Sequence, residues 1–496
     1  MTYRREDIAV FASGLSVMGV EILAGRILAP EFGSTIYTWG SIIGVFMAAL
    51  SVGYYVGGKA AAERASLTSL QRSCFLAALY LACLVFFAEQ LLSLSTVPFM
   101  NVRYAPLLPV TLLFGPPVFV LGFISPYAAE IKEQRSTGEA SGTVFAIGTV
   151  GSIGGAFLTT FFLVPVMSVD TIKLLYVGVL LVAGVLVRPR FSTQAVVSVV
   201  LVLGVVAVSF IIPDTAMQDV VYQTQTPYQE LSVQDQDGVR TMYLDGHPQS
   251  AMFINGSDGD VFTYTKYFDL PFLFSDNIER VLFIGGGGFT GPKRFARSYD
   301  LDVDVVEIDP VVVDVAREYF GVDDAFDIFV EDGRAYLRES NVTYDVIVVD
   351  AYRKASVPFH VTTEEFLQLA SSRLDEDGIV YANLISTRSG AGARFYHAQY
   401  KTMQRVFPNV YSFPTLNTSR IQNVELVATK EQSRFTRSEL RRRAARYDRR
   451  NLTSAVDLYV SSVLTGDAPV LTDEHAPVEV LLEPLLGRSY AIGETI

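Results

Sequence analysis

The first 213 residues hold seven apolar stretches, near 8–29, 39–59, 74–95, 107–128, 143–167, 171–187 and 195–212. Each reaches the roughly 17 to 25 residues that a helix needs to cross about 30 Å of hydrocarbon. Inside lipid every backbone polar group must be satisfied within the segment, so residues 1–213 are expected to form a multi-span α-helical membrane domain of about seven helices. A mean hydropathy of +0.32 over the whole chain agrees. Small residues recur along these stretches, as in "GTVGSIGGAF", where they let helix backbones approach closely. Glu21 and Arg26 lie five residues apart in the first span. Ionisable groups at that depth read either as an internal ion pair that locks the helix to its neighbours or as part of a polar cavity. The start, basic and then apolar without a small-residue cleavage site, reads as a retained signal anchor.

Charge divides the 496 residues unevenly. Residues 1–213 carry 12 Lys+Arg against 10 Asp+Glu, and residues 214–496 carry 27 against 42. The second part is thus an acidic, water-facing unit. Its charge argues against nonspecific nucleic-acid binding and suits either a cationic substrate or a solvated surface. Both cysteines, Cys74 and Cys83, fall in an apolar stretch, so no disulfide framework is expected. Arg and Lys in the loops, counted over seven spans, place the acidic unit outside the cell. A re-entrant segment at Pro116-Pro117 would return it to the cytoplasm, where a metabolite supply favours it.

Residues 214–278 read as a polar connector followed by a small antiparallel β-domain. "YQELSVQDQDGVRTMYLDGHPQSAMF" alternates apolar and polar residues around Asp-Gly turns at 237–238 and 245–246. From about 279 short apolar strands alternate with helical stretches, the mark of a parallel α/β sheet over 279–430. Strands are expected near 281–284, 303–307, 327–330, 344–349, 378–383, 409–413 and 422–428, the last two close enough to form a hairpin. Residues 431–496 read as a C-terminal helical extension that begins with a strongly basic helix.

Ligands of open α/β sheets bind beyond the carboxyl ends of the strands. There the first strand runs into "GGGGFTG" (285–291), where Gly285, Gly286 and Gly287 permit close approach to a ligand. The second ends at Glu307, placed to accept two ribose hydroxyls. The third leads to Glu331 and Asp332, and the fourth, "IVVDAYRKASVPFH", to Asp350. The glycines fit a dinucleotide fingerprint with Glu307 following Gly286 by 21 residues. Two further acidic strand ends, however, sit badly beside a pyrophosphate and suit a cofactor that carries adenosine and a positive sulfonium. His360 reads as a loop histidine bonded to backbone or as a substrate contact. No Zn or Mg ligand set is apparent.

Taken in order, "PYQELSV", "LDGHPQ", "VLFIGGGG", "VVEIDPVVVDVAREYF", "EDGRAYL" and "YDVIVVDAY...HVTTEEF" resemble the spermidine/spermine synthase (polyamine aminopropyltransferase) family over about residues 222–430. The amino-terminal half is similar to the multi-span segment of membrane-fused members. The resemblance implies a small β-domain before a class I methyltransferase-like Rossmann domain, and aminopropyl transfer from decarboxylated S-adenosylmethionine to an amine, with methylthioadenosine released. It implies Asp350 as the base, Glu307 as the ribose ligand and Asp332 as the adenine contact. Gln229 and Gly285–Gly287 would border the donor, and Tyr228, Gln249, Tyr264 and Tyr352 the substrate. No cofactor would be permanently bound. The expected partners are an amine and a lipid bilayer, with a homo-oligomer left open. Two departures stand out: Gly288 and Arg353 occupy positions where the family carries aspartates. A methyltransferase using intact S-adenosylmethionine, and a membrane transporter or sensor with a nucleoside-binding domain, remain alternatives.

Overall fold

The computed structural model describes residues 4–32, 35–95, 103–132, 137–190, 196–197, 199–204, 219–257, 259–351, 357–485 and 490–491. The chain divides into two compact units, Met1–Gln218 with Thr224–Gln229, and Asp219–Gln223 with Glu230–Ile496.

The first unit is helical: α1 (Arg5–Phe32), α2 (Ile36–Arg64), α3 (Leu67–Ser95), α4 (Leu107–Gly122), α5 (Ile124–Lys132), α6 (Thr137–Leu158) and α7 (Val169–Val187). Six segments among the described residues are long and apolar enough to cross a membrane, with α4 and α5 counted as one. The expected seventh span, 195–212, lies mostly outside the described residues. Pro116 and Pro117 sit inside α4.

Why α1 and α6 pack so tightly is visible in their glycines. A Cβ on Gly14 would come within 2.2 Å of the Gly148 carbonyl oxygen, and one on Gly155 within 2.1 Å of the Leu15 carbonyl oxygen. Only hydrogen side chains permit that approach, which is the purpose expected of "GTVGSIGGAF". Asp7 of α1 pairs with Lys132 of α5. Arg26 donates to the Pro227 carbonyl at 2.7 Å.

The second unit carries two sheets. β1 (Val220–Gln225), β2 (Glu230–Gln236), β3 (Val239–Leu244) and β4 (His247–Phe253) form an antiparallel meander in sequence order. Its tight turns need positive φ at both central residues, and Asp237-Gly238 and Asp245-Gly246 adopt it. A 3-10 helix (Thr263–Leu273) follows.

The second sheet is built from β5 (Arg280–Ile284), β6 (Asp302–Glu307), β7 (Asp327–Val330), β8 (Tyr344–Val349), β9 (Leu374–Ser386), β10 (Asn409–Pro414) and β11 (Gln422–Thr429). Its order is β10-β11-β9-β8-β5-β6-β7. The five strands from β9 to β7 are parallel, and β11 inserts antiparallel between β9 and β10 as a returning hairpin. Helices α8 (Thr290–Tyr299), α9 (Pro310–Tyr319), α10 (Gly333–Glu339), α11 (Glu364–Ser372) and α12 (Arg394–Val406) connect the strands. Apolar cores lie on both faces, one around Leu282, Ile347 and Leu426 and the other around Phe283, Val348 and Val427. That double burial explains why the parallel strands read as continuous apolar runs and not as alternation.

Beyond the sheet, α13 (Arg437–Arg446) opens with a Thr436/Glu439 capping box and buries only Leu440 and Ala444. α14 (Thr453–Leu458) follows, and later residues return to the sheet: Ala491 N–H donates to the Ile421 carbonyl at 2.8 Å.

Candidate active site

Because β5 is flanked by β6 on one side and β8 on the other, the strand order reverses there, and open α/β sheets bind ligands in the crevice at the carboxyl end of such a switch point. Gly285 lines it with φ of +101°, and a Cβ there would meet the Asp350 carbonyl oxygen at 2.5 Å. The backbone is correspondingly tight, with Asp350 N–H donating to the Ile284 carbonyl and Gly285 N–H to the Val306 carbonyl, both at 2.9 Å.

Glu307, at the end of β6, is 9% exposed. Oε2 accepts Gly286 N–H at 2.9 Å and Oε1 accepts Asp309 N–H at 3.0 Å. Burial nonetheless raises its pKa, against those bonds. The two hydrogen bonds leave the carboxylate capacity to accept from an incoming hydroxyl.

Asp332 caps α10. Oδ1 accepts the N–H groups of Arg334 at 3.0 Å and Ala335 at 2.9 Å. Oδ2 lies 2.9 Å from His360 Nε2. Although burial acts to raise it, these partners hold the acid below its usual range. His360 is therefore bonded to a carboxylate, and the simpler expectation of a backbone partner for its ring is corrected.

Asp350 presents its side chain beyond β8. Asn383 of β9 donates Nδ2–H to its Oδ1 at 2.8 Å, and Asn423 of β11 donates to Asn383 Oδ1 at 2.7 Å. Tyr490 hydroxyl in turn donates to Asn423 Oδ1. Burial pushes Asp350 up to about 7, opposed by the Asn383 bond and assisted by the negative charge of Glu307. A carboxyl poised there exchanges a proton near neutral pH.

The other expected residues are distributed as follows. Gln249 lies on β4 and offers its carbonyl to the Tyr264 hydroxyl at 2.8 Å. Tyr264 feels burial first and then Asp350, both raising its pKa. Tyr228 and Gln229 sit in the β1–β2 turn, where Thr226 Oγ1 accepts both their N–H groups at 3.0 Å. Tyr352 and Arg353 lie outside the described residues. Gly288 has a local reason: its N–H donates to Ser250 Oγ at 2.8 Å, and a Cβ would meet the Ser250 Cβ at 2.6 Å. An aspartate does not fit there without movement of β4.

Sequence reasoning missed Ser250, Asn383, Asn423 and Tyr490. Strand register brings the two asparagines together, and Tyr490 arrives from 67 positions beyond Asn423.

The sheet order and the acidic strand ends define a Rossmann-type α/β domain with its site at the topological switch point. A spermine/spermidine synthase domain model matches residues 246–422. The chain is 30% identical over 241 residues to a polyamine aminopropyltransferase of Thermococcus kodakarensis, covering 45% of this chain and 80% of that one. With that coverage, the chain belongs to the polyamine aminopropyltransferase (spermine/spermidine synthase) family. It is also 33% identical over 158 residues to a polyamine aminopropyltransferase of Vibrio vulnificus, covering 31% of this chain and 51% of the relative. The chain thus spans about half the length of several curated relatives that it matches. The solved spermidine synthase of Thermotoga maritima aligns with a TM-score of 0.35 at 22% identity, over 43% of this chain and 74% of that one.

Proposed function

We propose that the chain is a membrane-anchored aminopropyltransferase that moves an aminopropyl group from decarboxylated S-adenosylmethionine to an amine. The observation that carries this reading is Asp350, a carboxyl shifted to about 7 and held by Asn383 beside the Gly285 loop. Glu307 takes the ribose hydroxyls, and Asp332 faces the adenine side of the crevice. The acceptor arrives largely as an ammonium, because an alkyl amine has a pKa of about 10. Asp350 takes one of its protons, and the freed nitrogen lone pair attacks the methylene bound to sulfur. A C–N bond forms and the C–S bond breaks, with its electron pair left on sulfur, so the sulfonium becomes the neutral thioether methylthioadenosine. Loss of positive charge at sulfur is what drives departure. The six apolar spans anchor the enzyme in a bilayer, where its acceptor is a small-molecule amine and no nucleic acid is involved.

Calorimetric titration of the detergent-solubilised chain with decarboxylated and with intact S-adenosylmethionine tests this. Tighter binding of the decarboxylated donor, with methylthioadenosine and an aminopropylated amine among the products, is expected. Tighter binding of the intact donor would move the protein to the methyltransferases, and binding of neither would shift attention to the helical unit.

A further inference from the structure

The sheet carries a second concave surface at its β10 edge. A cavity of about 520 Å³ lies there, between the chain leaving β9, the β10–β11 loop, the first turn of α12 and residues 460–464. That is within the roughly 300 to 1,000 Å³ of small-molecule sites. In the strand order β10 stands three places from β8, so at about 4.8 Å per strand it is roughly 14 Å from the strand that delivers Asp350.

The chemistry of this cavity is the reverse of the crevice's. Over residues 214–496 Asp and Glu outnumber Lys and Arg by 42 to 27, yet none of the described residues that line the cavity is acidic. Elsewhere in the unit Arg240, Arg294 and Arg334 each pair with an aspartate. Arg388, half-buried two residues beyond the end of β9, pairs with no acid among the described residues and donates to Asn417 Oδ1 at 3.1 Å. A guanidinium has five N–H donors, and that bond uses one. Asn417, engaged through its oxygen, keeps its amide N–H groups for another acceptor. His397 of α12 makes no hydrogen bond to a described residue, and burial lowers its pKa, so near pH 7 the ring is neutral with one N–H to give. Ser389, Ser419 and Ser462 add hydroxyls, and Val463 and Leu464 add an apolar wall. Charges withdrawn from water are ordinarily paired, and what this group of donors lacks is an acceptor that bears negative charge.

We propose that the cavity is a second ligand site, for a small organic oxyanion, either a carboxylate or a phosphate ester, with its anionic group against Arg388 and Asn417 and its apolar body against Val463 and Leu464. The two sites then sort ligands by charge: the acidic strand ends collect cations, and the β10 edge collects anions. This assignment is independent of the reaction proposed at Asp350.

The test is calorimetric titration of the full-length solubilised protein with phenyl phosphate, with benzoate and with benzyl alcohol, which keeps the ring and lacks the charge. At least one anion should bind wild type about tenfold or more tighter than the alcohol, the size of one charge-assisted bond, and the better of the two names the preferred head group. Arg388→Gln removes the cation from a loop where it holds no acid, and it should bring that anion to within about threefold of the alcohol. An anion preference that survives in Arg388→Gln overturns the proposal. So does a wild type that binds neither anion better than the alcohol, a comparison that stands even if the variant does not fold.

Discussion

The base proposed at Asp350 carries a conflict, because the burial that lifts a carboxyl toward neutral pH also opposes its charged form in the folded protein. Its pKa rises from 3.8 to about 7 because burial penalises the charged form. In the proposed reaction the active form is the deprotonated one, so kcat/KM should climb with pH to a plateau above about 7 and fall by about tenfold per pH unit below it. For stability the sign is opposite. The folded state binds the extra proton, so the contribution of Asp350 is fully present below pH 3.8 and is lost as pH rises through about 7. Asp350→Asn should therefore cut turnover by about 10² to 10⁴ while donor binding persists, and at pH 8 it should stabilise the fold by about 1–3 kcal/mol. A pH–rate profile and a denaturant titration of the same variant check both; undiminished turnover would remove Asp350 from the role of base. Asp350, Glu307 and Asp332 were legible because each follows an apolar strand. Asn423 was not, because in sequence it is one polar residue inside "QNVELVAT", and only the pairing with β9 places it beside Asn383.

The elements are held in register around the crevice by buried charge as well as by apolar packing. Arg294 of α8 donates to Asp260 at 2.8 Å and pairs with Asp269 of the 3-10 helix at 3.1 Å. Asp269 also receives the hydroxyls of Tyr299 and, at 2.8 Å, Tyr447. Arg294→Ala would leave the fully buried Asp269 without its cation and Asp260 with Arg450 alone, a loss of about 3–5 kcal/mol, whereas Asp276→Ala, at an exposed pair with Arg443, should cost less than about 1 kcal/mol. Chemical denaturation of the two variants separates these expectations; equal midpoints would mean that the Arg294 cluster is not a structural tie. Element boundaries in the sheet were largely readable: β6, β7 and β8 begin and end within a residue of expectation, since apolar runs bounded by charge mark buried strands. β9 starts four residues before its apolar run because "LDED" is strand despite its polarity. Exposed polar residues at a strand start carry no periodic signal.

At the scale of the whole molecule, the helical unit carries six segments long and apolar enough to cross a membrane among its described residues. α6 turns Val150 and Ile153 outward at 60% and 54% exposure while Gly151 and Gly155 face α1. In water such a face is unfavourable, and in hydrocarbon it is at home. The protein should stay with the membrane fraction after an alkaline wash. Val150→Arg, near mid-span, should lower the inserted fraction, because arginine at a helix centre costs about 2.5–3.5 kcal/mol on insertion scales. Release of the wild type into the supernatant would overturn the spanning reading. Apolar length made the helices plain, whereas their partner faces depend on which glycines meet and not on hydropathy. The hydrogen bond from Tyr490 to Asn423 carries a consequence for biosynthesis. The ribosome makes the spans first, then the sheet with Asp350, and only afterwards the segment that finishes the support of that acid. On the spanning and aminopropyl-transfer readings proposed above, a nascent chain would be threaded into the bilayer and have its sheet assembled before the proposed base is fully held, which would separate the timing of insertion from the onset of activity.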